Sequence, residues 1–342
     1  MIKVAIIGAG YIGGVNANAC DKTEDAKVVA VVDKDFQKAK LLAQKINAEP
    51  YNSLEEILIK KEIDVVGICT PTFLHADMVE KCAKASKHIF CEKPVALSIE
   101  EVNRMIQAIK KYKVKSMVGH VLRFWPEYET AKRIIKDNFL GCPKNMYCER
   151  LGVIPEWAEG EWNKDKNLGG GAALDLQIHD LDYMISVFGD PLSVASQGIY
   201  DENLGGWAHM STIVKFAGGQ YGCVNAGWAV KGKFPFTMLL RIICEKGTIE
   251  WVSRASANIS ETLDGKVQKN EVIVYKDNGE IIKETSEEID PFFSQWKYFI
   301  HCINNDKEVE NSTFEDGKRS LELALASMDS SEQNKIVYIN KN

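Results

Sequence analysis

The opening residues, MIKVAIIGAGYIG, set a short apolar run directly before a G-x-G-x-x-G turn. No other feature restricts the fold of this chain as much. An apolar run without polar alternation reads as a strand covered on both faces, as in a parallel sheet with crossover helices. The three glycines differ in what they allow. Gly8 makes the tight turn out of the strand, Gly10 allows close approach to the backbone, and Gly13 lets the next helix pack on the strand. A helix opening at Tyr11 and Ile12 would then point unsatisfied N–H groups and its positive dipole end at a phosphate. Asp33 stands at the end of the next apolar run, 20 residues beyond Gly13. A carboxylate there accepts hydrogen bonds from both ribose hydroxyls and repels a 2′-phosphate, so NAD is expected. Lys34 beside it leaves NADP as the less favoured option. Asp33 could equally cap the helix in KDFQKAK, which is compatible with ribose binding.

Further runs repeat the pattern. IKVAII, VVAVV, DVVGIC, HIFC and KSMVG read as strands, separated by amphipathic stretches such as DFQKAKLLAQKI and SIEEVNRMIQAIKKY. A sheet of this kind binds ligands beyond the carboxyl ends of its strands, where distinctive residues gather here. The third run ends in Thr70 and Pro71, with His75 on the first turn of a following helix. Read alone, His75 is a surface histidine; its position places it with Thr70 and Pro71 on the cofactor-facing edge. The fourth ends in Glu92-Lys93-Pro94, which aims a cation at the cleft, because neighbouring residues on a strand face opposite ways.

With 342 residues the chain is long for a single core, and two domains are expected, 1–121 and 122–342. A net charge of -6 without a basic patch argues against a nucleic-acid partner. No apolar run approaches the length of a membrane span, and no signal-like segment precedes the first strand. The nine cysteines include no C-x-x-C, and several sit in apolar runs, so a reduced, cytoplasmic protein without structural disulfides is expected. No histidine or cysteine cluster offers a metal site.

In the second half, KFAGGQYG, CEKGTIEW and YKDNGEII are hairpin signals between long strand-like runs, and two helical stretches close the chain. The segment LGGGAALDLQIHD, residues 168–180, runs from three glycines into a helix. Leu174, Ile178, Leu181, Ile185 and Phe188 recur there at helical spacing as a core stripe. Asp175, His179 and Asp182 form a second stripe beside it, which would present an acid and an imidazole together.

The glycine turn, CTPT with His75, and ASKHIFCEKP together resemble the Gfo/Idh/MocA oxidoreductases, and the resemblance runs over essentially the whole chain. The E-K-P at residues 92–94 matches the family hallmark letter for letter. The resemblance implies an N-terminal Rossmann domain, a doubly wound parallel sheet, followed by a C-terminal α+β domain with a large, mostly antiparallel open sheet. It implies substrate binding between that second domain and the nicotinamide. It also matches Asp175 and His179 to a D-x-x-x-H pair that supplies the acid–base group, with Lys93 beside the reacting oxygen. The activity implied is that of an NAD(P)-dependent dehydrogenase acting on a secondary hydroxyl of a sugar, inositol or sugar derivative. Either His179 or Lys93 can be the proton acceptor, with the other stabilising the oxygen. Arg123, Trp125, Arg150, Trp157 and Trp162 could line a sugar or polyol pocket, and the tryptophans could equally pack in the core. Two alternatives are an NAD-using redox-elimination glycosidase of the same fold and a non-catalytic NAD-binding sensor. A broad sheet with one uncovered face implies a homodimer or homotetramer.

Overall fold

Six short runs, all but the edge run Glu49–Tyr51 largely buried, pair with every neighbour parallel. They are β1 (Ile2–Ile7), β2 (Ala26–Val32), β3 (Glu49–Tyr51), β4 (Val65–Ile68), β5 (His88–Cys91) and β6 (Ser116–Val118). Their order is β3-β2-β1-β4-β5-β6, so the direction of winding reverses between β1 and β4. Crossovers pass through α1 (Tyr11–Asp21), α2 (Phe36–Ile46), α3 (Leu54–Leu58), α4 (His75–Lys84) and α5 (Ile99–Tyr112). The last of these starts at a reciprocal cap: the Ser98 hydroxyl accepts from Glu101 N–H, and the Glu101 carboxylate accepts from Ser98 N–H. This computed structural model describes residues 1–60, 62–153, 170–204, 206–255 and 271–339.

The chain forms two compact units, Met1–Phe124 with Ile289–Lys318, and Trp125–Glu288 with Arg319–Asn342. A single division after residue 121 therefore misses one feature: residues 289–318 return to the first unit. The cause lies in α8 (Pro291–Asn304), whose Trp296, Phe299 and Ile300 are buried in the core of the parallel sheet. The Trp296 indole stacks on Phe90 at 4.5 Å between centroids. It also lies against Gly67 of β4, where an added Cβ would come within 3.2 Å of the ring.

The second unit opens with α6 (Pro126–Lys136) and holds nine strands: β7 (Pro143–Leu151), β8 (Pro191–Asp201), β9 (Gly206–Phe216), β10 (Tyr221–Gly227), β11 (Phe236–Cys244), β12 (Gly247–Ala255), β13 (Glu271–Lys276), β14 (Ile281–Thr285) and β15 (Val337–Tyr338). The order is β14-β13-β12-β11-β7-β10-β9-β8-β15, antiparallel throughout except for the parallel pair β7–β10. Alternation along β9 buries Met210, Thr212, Val214 and Phe216 and exposes Ser211, Ile213 and Lys215. On the buried side, Phe188 of α7 (Ile178–Phe188) packs on Phe216, with ring centroids 5.2 Å apart. The register puts Ile213, Tyr221, Ile243, Val252 and Tyr275 on the opposite, exposed side. The helix α9 (Phe314–Gln333) precedes β15, its first turn in the first unit and the remainder in the second.

All nine cysteines are unpaired. Among the described residues there is no metal-holding cluster, and no helix is long and apolar enough to cross a membrane.

Inside the second unit, Arg150 of β7 and Asp180 of α7 form a fully buried pair. Arg150 Nε donates to Asp180 Oδ2 at 2.9 Å and Nη2 to Oδ1 at 3.1 Å, with the Tyr128 hydroxyl 3.3 Å from Nη2. Burial opposes the guanidinium charge, but the Asp180 carboxylate prevails and holds the Arg150 pKa above its ordinary value. Removing one partner leaves an unpaired charge in a dry site. Arg150→Leu is expected to cost about 3–5 kcal/mol of stability, whereas Arg150→Leu/Asp180→Leu should recover most of it. Urea unfolding of the two variants measures the difference.

Candidate active site

Gly8, Asp33, Thr70 and Lys93 all follow the carboxyl ends of their strands, and the parallel pairing brings those ends to one edge. At the point of winding reversal, Gly8 has φ +94°, and a Cβ there would lie 2.4 Å from the Cys69 carbonyl oxygen. A Cβ on Gly13 would lie 1.8 Å from the Gly8 carbonyl oxygen, so helix α1 can approach β1 only through glycine. At Gly10 the corresponding direction is open, with nothing within 4 Å. Gly10 caps α1 without a side-chain hydrogen bond, and the first turn holds no acid. An open space facing uncapped N–H groups suits a pyrophosphate, so the loop fits the dinucleotide that its sequence implies. Tyr11 stands exposed beside it and Ile12 is half-buried.

Asp33 braces this loop. Its Oδ2 accepts from Ala9 N–H at 2.8 Å and its Oδ1 from Asp35 N–H at 2.9 Å. The cap of α2 is Asp35, which accepts from Gln37 N–H, so Asp33 is not the capping residue. Each carboxylate oxygen keeps a lone pair for a further donor such as a ribose hydroxyl.

His75 departs from the surface reading: it is 1% exposed. Its Nε2 lies 2.9 Å from the Thr70 carbonyl oxygen, and its Nδ1 lies 3.0 Å from that of Pro94 and 3.3 Å from that of Val95. The ring therefore joins the Thr70-Pro71 turn to the segment after Lys93, and its contribution to the cofactor edge is to hold these loops. Burial pulls its pKa below the ordinary value, against the pull of the three carbonyls.

Glu92 is buried as well, with Oε1 accepting from Asn16 Nδ2 at 2.8 Å and Oε2 from Lys93 N–H at 3.1 Å. Lys93 is half-buried. The sequence alone does not point to Asn16. Nothing in its spacing marks it, because its side-chain partners, Glu92 just past β5 and Trp296 of α8, lie far along the chain.

In the second unit, Gly170 and Gly171 take φ values of +71° and +65°, a left-handed entry that favours glycine. The helix that follows opens with a π-helical turn, Ala173–Gln177, before α7 takes up α geometry. Every residue from 171 to 185 is buried except Asp175 and His179, which are half-buried. Asp182, expected on the same stripe, is fully buried. Gln177, between the acid and the imidazole in sequence, is buried on another side. Its Nε2 donates to Ser327 Oγ and its Oε1 accepts from Thr212 Oγ1, both at 2.8 Å.

The expected pocket residues fare differently. Arg123 forms an ion pair with Asp316 at 3.0 Å inside the first unit, its side chain 6% exposed. Arg150 is paired with Asp180, as described above. Half-buried Trp125 hydrogen-bonds the Glu127 carboxylate, which burial pushes above the usual range. Trp157 and Trp162, with Leu168 and Gly169 of the glycine-rich run, lie outside the described residues.

The loop geometry separates two glycine substitutions. Gly10→Ala is expected to leave the melting temperature unchanged while weakening NADH binding by tenfold or more, about 1.4 kcal/mol or above. Gly13→Ala should lower both, since its Cβ meets protein backbone. Thermal unfolding and NADH fluorescence titration check the pair. For His75, a lowered folded-state pKa means that the unfolded chain binds the proton first as pH falls. Its contribution is complete above about pH 6.5 and is lost below it, by up to ~1.4 kcal/mol per pH unit. Between pH 7.5 and 5.5, urea midpoints should fall less in His75→Gln than in the parent.

Comparison with known proteins agrees with this architecture. Residues 2–120 match the family model described as oxidoreductase family, NAD-binding Rossmann fold, and residues 128–250 match the GFO/IDH/MocA C-terminal domain. An inositol 2-dehydrogenase of Rhizobium meliloti (strain 1021) is 31% identical over 66% of this chain and 68% of its own. A 2,7-anhydro-N-acetylneuraminate hydratase of Escherichia coli (strain K12) is 32% identical over 56% of this chain, and the match spans half of that relative's length, 50%. A levoglucosan dehydrogenase, solved with NADH and levoglucosan, shares the fold at a TM-score of 0.86 and 20% identity, covering 99% of this chain and 100% of that one. The chain belongs to the Gfo/Idh/MocA oxidoreductases, and its first unit is an NAD-binding Rossmann domain.

Proposed function

We propose that the protein is an NAD-dependent dehydrogenase acting on a secondary hydroxyl of a sugar, an inositol or a related polyol. The observation that carries this reading is the selective exposure of Asp175 and His179 on a segment otherwise buried from 171 to 185. A helix that only packs has no reason to turn an acid and an imidazole out of its buried surface. When bound, the nicotinamide supplies the hydride acceptor. The chain's own residues supply the rest. His179 takes the hydroxyl proton, Asp175 orients the ring and favours its charged form, and Lys93 donates to the oxygen as negative charge develops. The alternative division of labour, with Lys93 as acceptor and His179 as donor, uses the same three groups. Asp33 favours NAD over NADP. Relatives named as an inositol dehydrogenase and a levoglucosan dehydrogenase support the substrate class. The exposed apolar residues on one side of the large sheet support a homodimer or homotetramer through that side, and nine unpaired thiols suit a reduced, cytoplasmic setting.

The hydratase relative favours a second reading, in which NAD is used without net oxidation of the substrate. Mixing enzyme, NAD⁺ and a panel of polyols, aldoses, inositols and anhydro sugars separates the two. Net NADH absorbance supports the dehydrogenase; product formation without it supports the redox-neutral reaction.

On an accepted substrate, His179→Ala should lose roughly 10²–10⁴-fold in kcat, with Lys93→Ala in the same range. Asp175→Asn should lose less, because the imidazole remains. The Lys93→Ala/His179→Ala double variant should fall well short of the product of the single losses. Near-normal turnover by His179→Ala would remove the assignment of the helix. Asp33→Ser should narrow the preference for NAD over NADP, as titration of both cofactors would show.

A further inference from the structure

Asn16 is a primary amide with no exposure, on a face of α1 that otherwise buries Ala17, Ala19 and Cys20. Such a group is tolerated in a core only when its donors and acceptor are used. Here they are. Its Nδ2 donates to the Ile12 carbonyl at 2.9 Å and to Glu92 Oε1 at 2.8 Å, and its Oδ1 accepts from Trp296 Nε1 at 2.9 Å. Because an indole N–H only donates, its bond to Oδ1 fixes which way the amide points. Gly119 lies against the Glu92 carboxylate, so that a Cβ added there would come within 3.0–3.1 Å of it. With one oxygen on Asn16, the other receives the backbone N–H of Lys93. Beyond the lysine, the carbonyls of Pro94 and Val95 meet His75.

We propose that Asn16 is a positioning residue for Lys93. Through Glu92 it joins α1, whose N-terminus faces the phosphate site, to the backbone that carries the lysine. Trp296 fixes the amide's orientation from the distal end of the chain. The consequence for turnover rests on the proposed role of Lys93 in catalysis; the placement of the lysine does not.

The test therefore reads Lys93 directly. The full-length protein, with and without saturating NAD, is acetylated by trace reagent. Lys93 is then quantified by peptide mass spectrometry against Lys110, an exposed lysine in the same digest. Three variants are compared: Asn16→Ala, Asn16→Asp, which sets a carboxylate against Glu92, and Trp296→Phe, which removes the orienting N–H along with part of the indole's volume and keeps an aromatic ring beside Phe90. One hydrogen bond corresponds to about fivefold, so the Lys93/Lys110 ratio should change by about that factor or more in the Asn16 variants and by less in Trp296→Phe. NADH affinity should stay within a few-fold. On any accepted substrate, kcat should fall while KM for NAD holds. An unchanged ratio in all folded variants overturns the proposal, and so does an equal change at Lys110. If the Asn16 variants do not fold, Trp296→Phe decides alone. If no substrate is accepted, the dehydrogenase reading fails while the lysine ratio still answers the question of placement.

Discussion

The carboxyl edge of a parallel sheet is a row of loops that no strand pairing holds, and here buried side-chain hydrogen bonds hold them. Asp33 takes the N–H of Ala9, Glu92 takes that of Lys93, and His75 meets the carbonyls of Thr70, Pro94 and Val95. Each bond crosses from one strand's loop to another's or fixes a loop end. Glu92 is tied in turn to α1 through Asn16. A buried polar network of this kind is costly when half-satisfied and rigid when complete. The glycine loop and Lys93 therefore belong to one bonded structure, although Gly13 and Lys93 lie 80 positions apart in sequence.

The same need explains the return of α8 to the first unit. Its apolar face fills the core over β4 and β5, and its indole N–H is the donor that completes Asn16. Packing and polar satisfaction come from a single side chain, Trp296, whose ring with Ile6 leaves little room for a Cβ at position 67.

The second unit solves a parallel problem. His179 is followed directly by Asp180, a carboxylate with no exposure, and the fork of Arg150 holds it in place. Gln177 fixes the π-helical turn from the other side through Thr212 and Ser327, and Thr212 continues to Ser196 at 2.9 Å. Between these anchors, Asp175 and His179 reach the surface of the unit. Insertion of a π-turn in a helix commonly accompanies a functional site, and here it shapes the segment that carries the acid.

Much of this was legible in the chain. Apolar runs without alternation marked β1, β2, β4, β5 and β6, and the G-x-G-x-x-G with Asp33 located the phosphate loop, because these patterns depend on local backbone geometry and strand burial. Hairpin signals such as KFAGGQYG pointed to the antiparallel sheet for the same reason. The edge strand β3 escaped notice because Glu49-Pro50-Tyr51 is neither an apolar run nor long enough to alternate. What only tertiary structure decided were the partners of polar side chains. His75 reads as a surface residue until its two ring nitrogens meet carbonyls 5 to 20 residues away. Nothing in the spacing of Arg123 and Arg150 announces Asp316 and Asp180 as their partners. Asn16 reads as nothing at all, since its third hydrogen bond comes from a residue 280 positions on. Periodicity records which face of an element is apolar. It does not record which distant group a buried amide, imidazole or guanidinium will meet, and that meeting sets the geometry of the site.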